Sequence, residues 1–278
     1  MEKITKKQFY DFIGKILYYL SQYVDISKIS KNYDNTQYIL TDSEENKIRV
    51  DKNKYDKVKV KEDSGLTITP VIYKLRGYKV ANQICFVRNL ADTAEDIKQT
   101  MFHELMHVGA SKKEIVDKKN VVYKTGIYTK NYRFTLLNPY ESTSKYQYLN
   151  EAMTELVAKF IYDKVNDTKY NIVRKSDRGY RVSIYNKGYF LLAFLFLNYF
   201  EEHPEVLFDI YFNNNIELFK TILAKKTSLT IDELDDIITK SIQNPDDEKL
   251  NVKIDLLISQ LYRKEPIKNK NVMEQYLL

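Results

Sequence analysis

An α+β fold is predicted for this chain: a twisted, mostly antiparallel sheet near the N-terminus, followed by a part that is mainly helical. Three observations carry that prediction. Between Gln37 and Asn89, β-forming residues alternate or cluster in short runs. On both sides of that region, apolar residues recur at helical spacing. Across 278 residues, 44% are hydrophobic and 29% charged, ordinary values for a globular chain able to bury a substantial core, so wholesale disorder is not expected.

Taken in order, Thr5 to Tyr23 predicts a helix, with Phe9, Phe12, Ile13, Ile16, Leu17 and Leu20 as its apolar stripe. Tyr38-Ile39-Leu40, Lys47 to Val50, Val58-Lys59-Val60, Leu66 to Ile72 and Val80 to Val87 are the predicted strands. Asp63-Ser64-Gly65 and Arg76-Gly77 are the turn candidates between them. A helix is expected from Asp92, capped by its side chain with Glu95 reaching back, to the natural stop at Gly109. Val121 to Leu137 predicts a hairpin turning at Thr129-Lys130-Asn131, and a loop follows through Asn138-Pro139 to Lys145. A second helix is expected over Tyr148 to Val165, then an irregular or hairpin-like stretch from Tyr170 to Tyr185 around Asp177-Arg178-Gly179. Further helices are expected over Lys187 to Phe200, Val206 to Lys225, Ile231 to Ile242 with a Thr230/Glu233 capping box, and Asp247 to Tyr262. The tail from Lys264 is expected to be loose.

Composition narrows the function classes. Net charge is +6, from 44 basic and 38 acidic residues that are interspersed, so a solvated mixed-charge surface is expected rather than a nucleic-acid groove. The single cysteine, Cys85, excludes an internal disulfide, and its apolar setting in Gln83-Ile84-Cys85-Phe86-Val87 predicts a buried structural thiol. Asp11 and Lys15 interrupt the first apolar stretch, so no signal peptide is read. The most apolar run, Tyr189 to Phe200, is too short to span a bilayer and predicts a core helix. A reducing cytoplasm is the default compartment, with export by a non-classical route left open. Oligomeric state is not legible.

His103-Glu104-Leu105-Met106-His107 is an HExxH motif that uses two of the three histidines in the chain. On a helix, residues four apart differ by about 40° and lie one turn apart, so both imidazoles can reach one ion. Glu104 then sits where a general base for an ion-activated water belongs, the arrangement of a zinc hydrolase. A catalytic zinc usually takes a third protein ligand. His203 is the spare histidine, but Glu201-Glu202-His203-Pro204 predicts a surface turn. Leu149-Asn150-Glu151-Ala152-Met153-Thr154-Glu155 supplies a better donor, because Glu151 and Glu155 share a face beside the apolar Leu156, Val157, Phe160 and Ile161. Carboxylates there need compensation. A zinc ion supplies it for Glu151, and the remaining N–H of a ligating imidazole supplies it for Glu155.

These two segments together resemble the gluzincin metallopeptidases. Thermolysin-like enzymes of that family carry HExxH on one helix and Asn-Glu-Ala-x-x-Asp on the next, and lethal-factor-type zinc toxins have a similar Asn-Glu-Ala segment. Here the matching residues are His103-Glu104-Leu105-Met106-His107 and Asn150-Glu151-Ala152-Met153-Thr154-Glu155, with Glu replacing the terminal Asp. A metzincin pattern is absent, since Ala110 and Lys113 stand where it needs Gly and His. The resemblance implies one zincin-like metallopeptidase domain over 1–278, with an N-terminal helix and sheet (1–90), metal-site helices with an inserted hairpin (91–165) and a helical C-terminal part (166–278). It implies Zn2+ held by His103, His107 and Glu151, Glu155 orienting a ligating histidine, and Glu104 as the catalytic base. The implied partner is a peptide or protein substrate, lying along the strand Val80 to Val87 by β-strand addition. An oxyanion donor is expected among Tyr146, Tyr148, Tyr180, Tyr185 and His203. Two other functions fit the same residues: an intracellular regulatory protease that cleaves a repressor-like partner, and a zinc-binding protein without catalytic activity.

Overall fold

The structure, a computed structural model, describes residues 5–34, 36–42, 47–48, 58–59, 66–68, 82–88, 94–116, 120–133, 141–176, 179–182 and 186–277. It is a mixed α/β protein with more residues in helices than in strands. The chain divides into two compact units, Met1–Gly109 and Ala110–Leu278.

The first unit opens with α1 (Lys6–Leu20), started by a capping box in which Thr5 and Gln8 each accept the other's backbone N–H. Of its predicted stripe, Phe9, Ile13, Ile16 and Leu20 are buried and Phe12 and Leu17 half-buried. The short α2 (Ser27–Asp34) buries Ile29 and Tyr33. Five strands follow: β1 (Thr36–Asp42), β2 (Lys47–Ile48), β3 (Val58–Lys59), β4 (Leu66–Ile68) and β5 (Asn82–Arg88). Each falls within or across a predicted run. The turn candidates at Asp63 to Gly65 and Arg76-Gly77, and the Cys85 side chain, lie outside what the structure describes.

Strand direction agrees with the mostly antiparallel expectation and adds one parallel pair. In the order β1-β5-β4, β5 runs parallel to β1 and antiparallel to β4, so this sheet is mixed. β2 and β3 form a separate antiparallel pair. Alternation reports which residues share a face but not which way a neighbour runs. The same pairing corrects the expected substrate strand. Over Gln83, Ile84 and Cys85, β5 is paired on both sides, so its backbone groups there are already engaged.

Helix α3 (Ala94–Ala110) carries the HExxH motif and ends one residue beyond the predicted Gly109; its predicted cap at Asp92 is outside the described residues. Phe12 packs edge-to-face on Phe102 at 5.6 Å. The C-terminal carbonyls of α3 are covered from α2, where the Tyr33 hydroxyl donates to Leu105 O at 3.0 Å and Asn32 Nδ2 to Gly109 O at 3.1 Å.

The second unit begins with an antiparallel sheet in the order β6 (Lys112–Ile115), β7 (Asn120–Thr125), β8 (Tyr128–Arg133), β9 (Glu141–Lys145). Two expectations are corrected here. The hairpin turns at Gly126-Ile127, not at Thr129 to Asn131, and Thr125 pairs with Tyr128. Gly126 has φ +55°, the left-handed conformation that the first position of a tight hairpin turn favours in glycine. The predicted loop up to Lys145 contains β9, a polar edge strand with no apolar alternation to reveal it.

The helical part follows. α4 (Gln147–Val165) matches its prediction, as does the hairpin of β10 (Val173–Ser176) and β11 (Gly179–Val182). α5 (Asn186–Glu202) is the predicted core helix, buried from Tyr189 to Leu197. It approaches α4 closely at Gly188, where a Cβ would come within 2.9 Å of Ala152 Cβ. The single helix expected over Val206 to Lys225 is two, α6 (Pro204–Phe212) and α7 (Ile216–Lys226). Asn213-Asn214-Asn215 breaks it, with Asn214 at φ +59° and Asn215 capping α7 through Leu218 N. α8 (Ile231–Gln243) has the predicted Thr230/Glu233 capping box, and α9 (Glu248–Lys264) starts at Asp247 as expected. The tail is not loose: α10 (Lys270–Tyr276) buries Val272 and Gln275. Among the described residues, no helix is long and apolar enough to cross a membrane.

Candidate metal centre

Every residue of α3 from Met101 to Ala110 is buried. Met101, Phe102, Leu105, Met106 and Val108 supply apolar sides, and His103, Glu104 and His107 form a polar seam that is 6–9% exposed. Such a seam inside a helix requires compensation. The histidines are at successive turns, and their Nε2 atoms converge to 3.1 Å. Two ligands on a tetrahedral ion with metal–nitrogen bonds near 2.0–2.1 Å stand about 3.3 Å apart, so the spacing fits one shared ion.

The candidate third donor is Glu151, on α4. Ligand atoms of His103, His107 and Glu151 all lie within 4.8 Å of one another, and this cluster can hold a metal ion. Two imidazoles and one carboxylate are a donor set that suits a divalent first-row ion. Glu151 is the partly exposed member, and both histidines are buried.

Local structure explains why Glu151 is presented there. Asn150, which precedes it, is buried, and its Oδ1 accepts from Ile127 N at 2.9 Å and Tyr128 N at 3.3 Å. One side chain thus satisfies two backbone donors at the β7–β8 turn and ties that turn to the first turns of α4. Thr154 donates to Asn150 O at 2.7 Å, so the Tyr211 hydroxyl, also 2.7 Å away, is the donor to Thr154. The N-terminus of α4 is served from α8, where Asp235 accepts from Leu149 N. Burial raises the Asp235 carboxyl, and that hydrogen bond partly offsets it. Tyr146, the residue before α4, has φ +60°, and its hydroxyl donates to Asp232 at 2.9 Å. Burial and then Asp232 push its phenol up to about 12.

Compared with family models, with curated proteins and with solved structures, the chain matches none. Its site is therefore argued from its own residues.

The other expected participants are placed as follows. Glu155 is buried one turn beyond Glu151, and its Oε2 accepts from the Tyr170 hydroxyl at 2.5 Å. His203 is not in the cluster. It is an exposed residue at the start of α6, stacked on Tyr199 at 4.8 Å with Nδ1 3.6 Å from the Glu205 carboxylate. The side chains of Tyr180 and Tyr185 are outside what the structure describes. Sequence reasoning missed the roles of Tyr170 and Tyr211 and the turn-holding role of Asn150. No local signal marks Tyr170 or Tyr211, since their partners lie 15 and 57 positions away.

Proposed function

We propose that this chain is a zinc-dependent peptide-bond hydrolase of gluzincin type. The observation that carries the reading is the convergence of His103, His107 and Glu151, with Glu104 between the two histidines in sequence. A bound zinc supplies Lewis acidity and brings the pKa of a water down to roughly 7. Glu104 is the proton carrier: it takes a proton from the attacking water and delivers it to the leaving amine. Glu155 sits one helical turn from Glu151, and its Oε2 accepts from the Tyr170 hydroxyl. The substrate is an unfolded or extended peptide segment, because peptide hydrolysis requires the scissile carbonyl to approach a buried seam.

The test uses purified full-length protein. Elemental analysis should find one equivalent of zinc, retained in Glu104→Gln and lost in His103→Ala. A peptide-library digest should show cleavage by the wild type and a loss of roughly 100-fold or more in Glu104→Gln. Wild-type rates in a pure Glu104→Gln preparation would exclude the mechanism. Stoichiometric zinc with no cleavage of any peptide would make the chain a metal-binding protein instead.

A further inference from the structure

Helix α4 carries a polar stripe beyond Glu151: Glu155, Lys159 and Asp163 recur every four residues and lie along one slowly turning face. Tyr170, fully buried, meets all three. Its hydroxyl donates to Glu155 Oε2 at 2.5 Å, its N–H donates to Asp163 Oδ1 at 2.7 Å, and its carbonyl accepts from Lys159 Nζ at 3.5 Å. Helix α10 lies over this set. Asn271 Oδ1 accepts from Lys159 Nζ at 3.2 Å and from Gln275 Nε2. Gln275 Oε1 accepts from Ile172 N at 2.5 Å and from Val173 N at 3.3 Å. Val272 is buried, and Tyr276 packs edge-to-face on Phe190 and Phe194 of α5. Asn271 and Gln275 are one turn apart, as are Val272 and Tyr276, so one side of a seven-residue helix makes these contacts together.

The strap that leads into α10 is anchored separately. Ile267 is buried, and Asn198 of α5 brackets it, donating from Nδ2 to Pro266 O at 2.9 Å and accepting from Lys268 N at 2.9 Å. We propose that α10 is a hinged clasp, opening as one unit about the Asn198-anchored strap while α4 and α5 stay folded. Seven residues are too few to hold a helix in water alone, so α10 is either docked or melted. Its apolar hold is one buried valine and one half-buried tyrosine, whereas α5 is buried from Tyr189 to Leu197. Opening hydrates the Lys159 ammonium and the N–H groups of Ile172 and Val173, which offsets part of the lost bonding. It also uncovers the Phe190 and Phe194 rings, so the clasp governs access to a groove between α5 and the start of β10.

Amide hydrogen exchange on the full-length protein tests this, whether or not a metal is bound. In the wild type, the Met273, Glu274, Gln275 and Tyr276 N–H groups should share one protection factor, roughly 100-fold or more below that of the Leu195 N–H in mid-α5. Asn271→Ala should lower that shared factor by a further 10- to 100-fold, the usual range for a hydrogen bond to a charged group, and leave the Lys268 and Leu195 N–H groups unchanged. Protection of α10 equal to that of α5 overturns the inference, because α10 then opens only when the molecule unfolds. A graded rise in protection from Tyr276 back to Met273 overturns it too, since that is residue-by-residue fraying. Unchanged α10 protection in Asn271→Ala, or an equal loss in α5, also overturns it. Should Asn271→Ala not fold, Gln275→Ala is read by the same criteria.

Discussion

Gly126 joins a backbone requirement to a packing one. It turns the β7–β8 hairpin at φ +55°, and a Cβ there would collide with Asn150 Oδ1 and come within 2.5 Å of the Tyr211 ring. Asn214 Nδ2 donates to its carbonyl from the break between α6 and α7. Gly126→Ala therefore combines left-handed strain with overpacking and should cost roughly 2–4 kcal/mol. Urea unfolding checks this: the midpoint should fall at an unchanged slope, and a loss under about 0.5 kcal/mol, the range of ordinary surface changes, would contradict the packing described. At this scale the sequence was most informative where chemistry depends on helical spacing. His103 and His107 were legible as a pair because residues four apart are about one turn apart, and Glu151 was legible from its place in the Asn-Glu-Ala segment. Asn150 and Tyr170 were named by no spacing rule, since their hydrogen-bond partners are set by where other elements pass.

At the scale of elements, α10 is the clearest departure from expectation. At seven residues α10 is too short for a periodic stripe to mark it, so local pattern did not predict a docked helix. It docks through apolar and polar groups together: Val272 is buried and Tyr276 packs on Phe190 and Phe194, while Asn271 and Gln275 reach Lys159 Nζ and the backbone at Tyr170 and Ile172. Lys159 is buried, and burial pushes its ammonium pKa down while Asp163, 2.5 Å away, pulls it up. Lys159→Met would leave Asp163 with the Tyr170 N–H but without its counter-charge. We expect a loss of about 3 kcal/mol, read as a lowered urea midpoint. No measurable loss would mean that the ion pair is exchanged for solvation without cost. The β5 and β9 corrections have one cause in common. Side-chain alternation marks a strand, whereas pairing partners and direction are decided by strands that are remote in sequence.

For the whole molecule, buried phenols set the response to alkali. Burial raises the pKa of Tyr33 and Tyr189 above the ordinary value near 10, and Tyr146 is raised to about 12. A folded-state pKa above the unfolded one means that the folded chain holds its proton longer. The stability tied to these groups is complete below pH 10 and is lost as pH climbs through their folded values. Lys159 acts in the opposite sense, because its folded pKa is lowered and the unfolded chain binds the extra proton. The phenols outnumber it, so the melting temperature should fall between pH 10 and 12, with tyrosinate absorbance rising together with unfolding. A flat melting temperature across that window would show that these rings ionise in place.

From sequence alone came the HExxH helix, the paired glutamates one turn apart on a second helix, most helix boundaries and the positions of the N-terminal strands, because each rests on local periodicity, caps or turn chemistry. Tertiary structure alone brought a ligand atom of Glu151 within 4.8 Å of those of the two histidines, made β5 a central strand parallel to β1, and placed Tyr170 and the last helix on the α4 polar stripe. Those facts depend on contacts between residues far apart in the chain, where the energy lies in burial and hydrogen bonding across elements and leaves no periodic trace in the sequence.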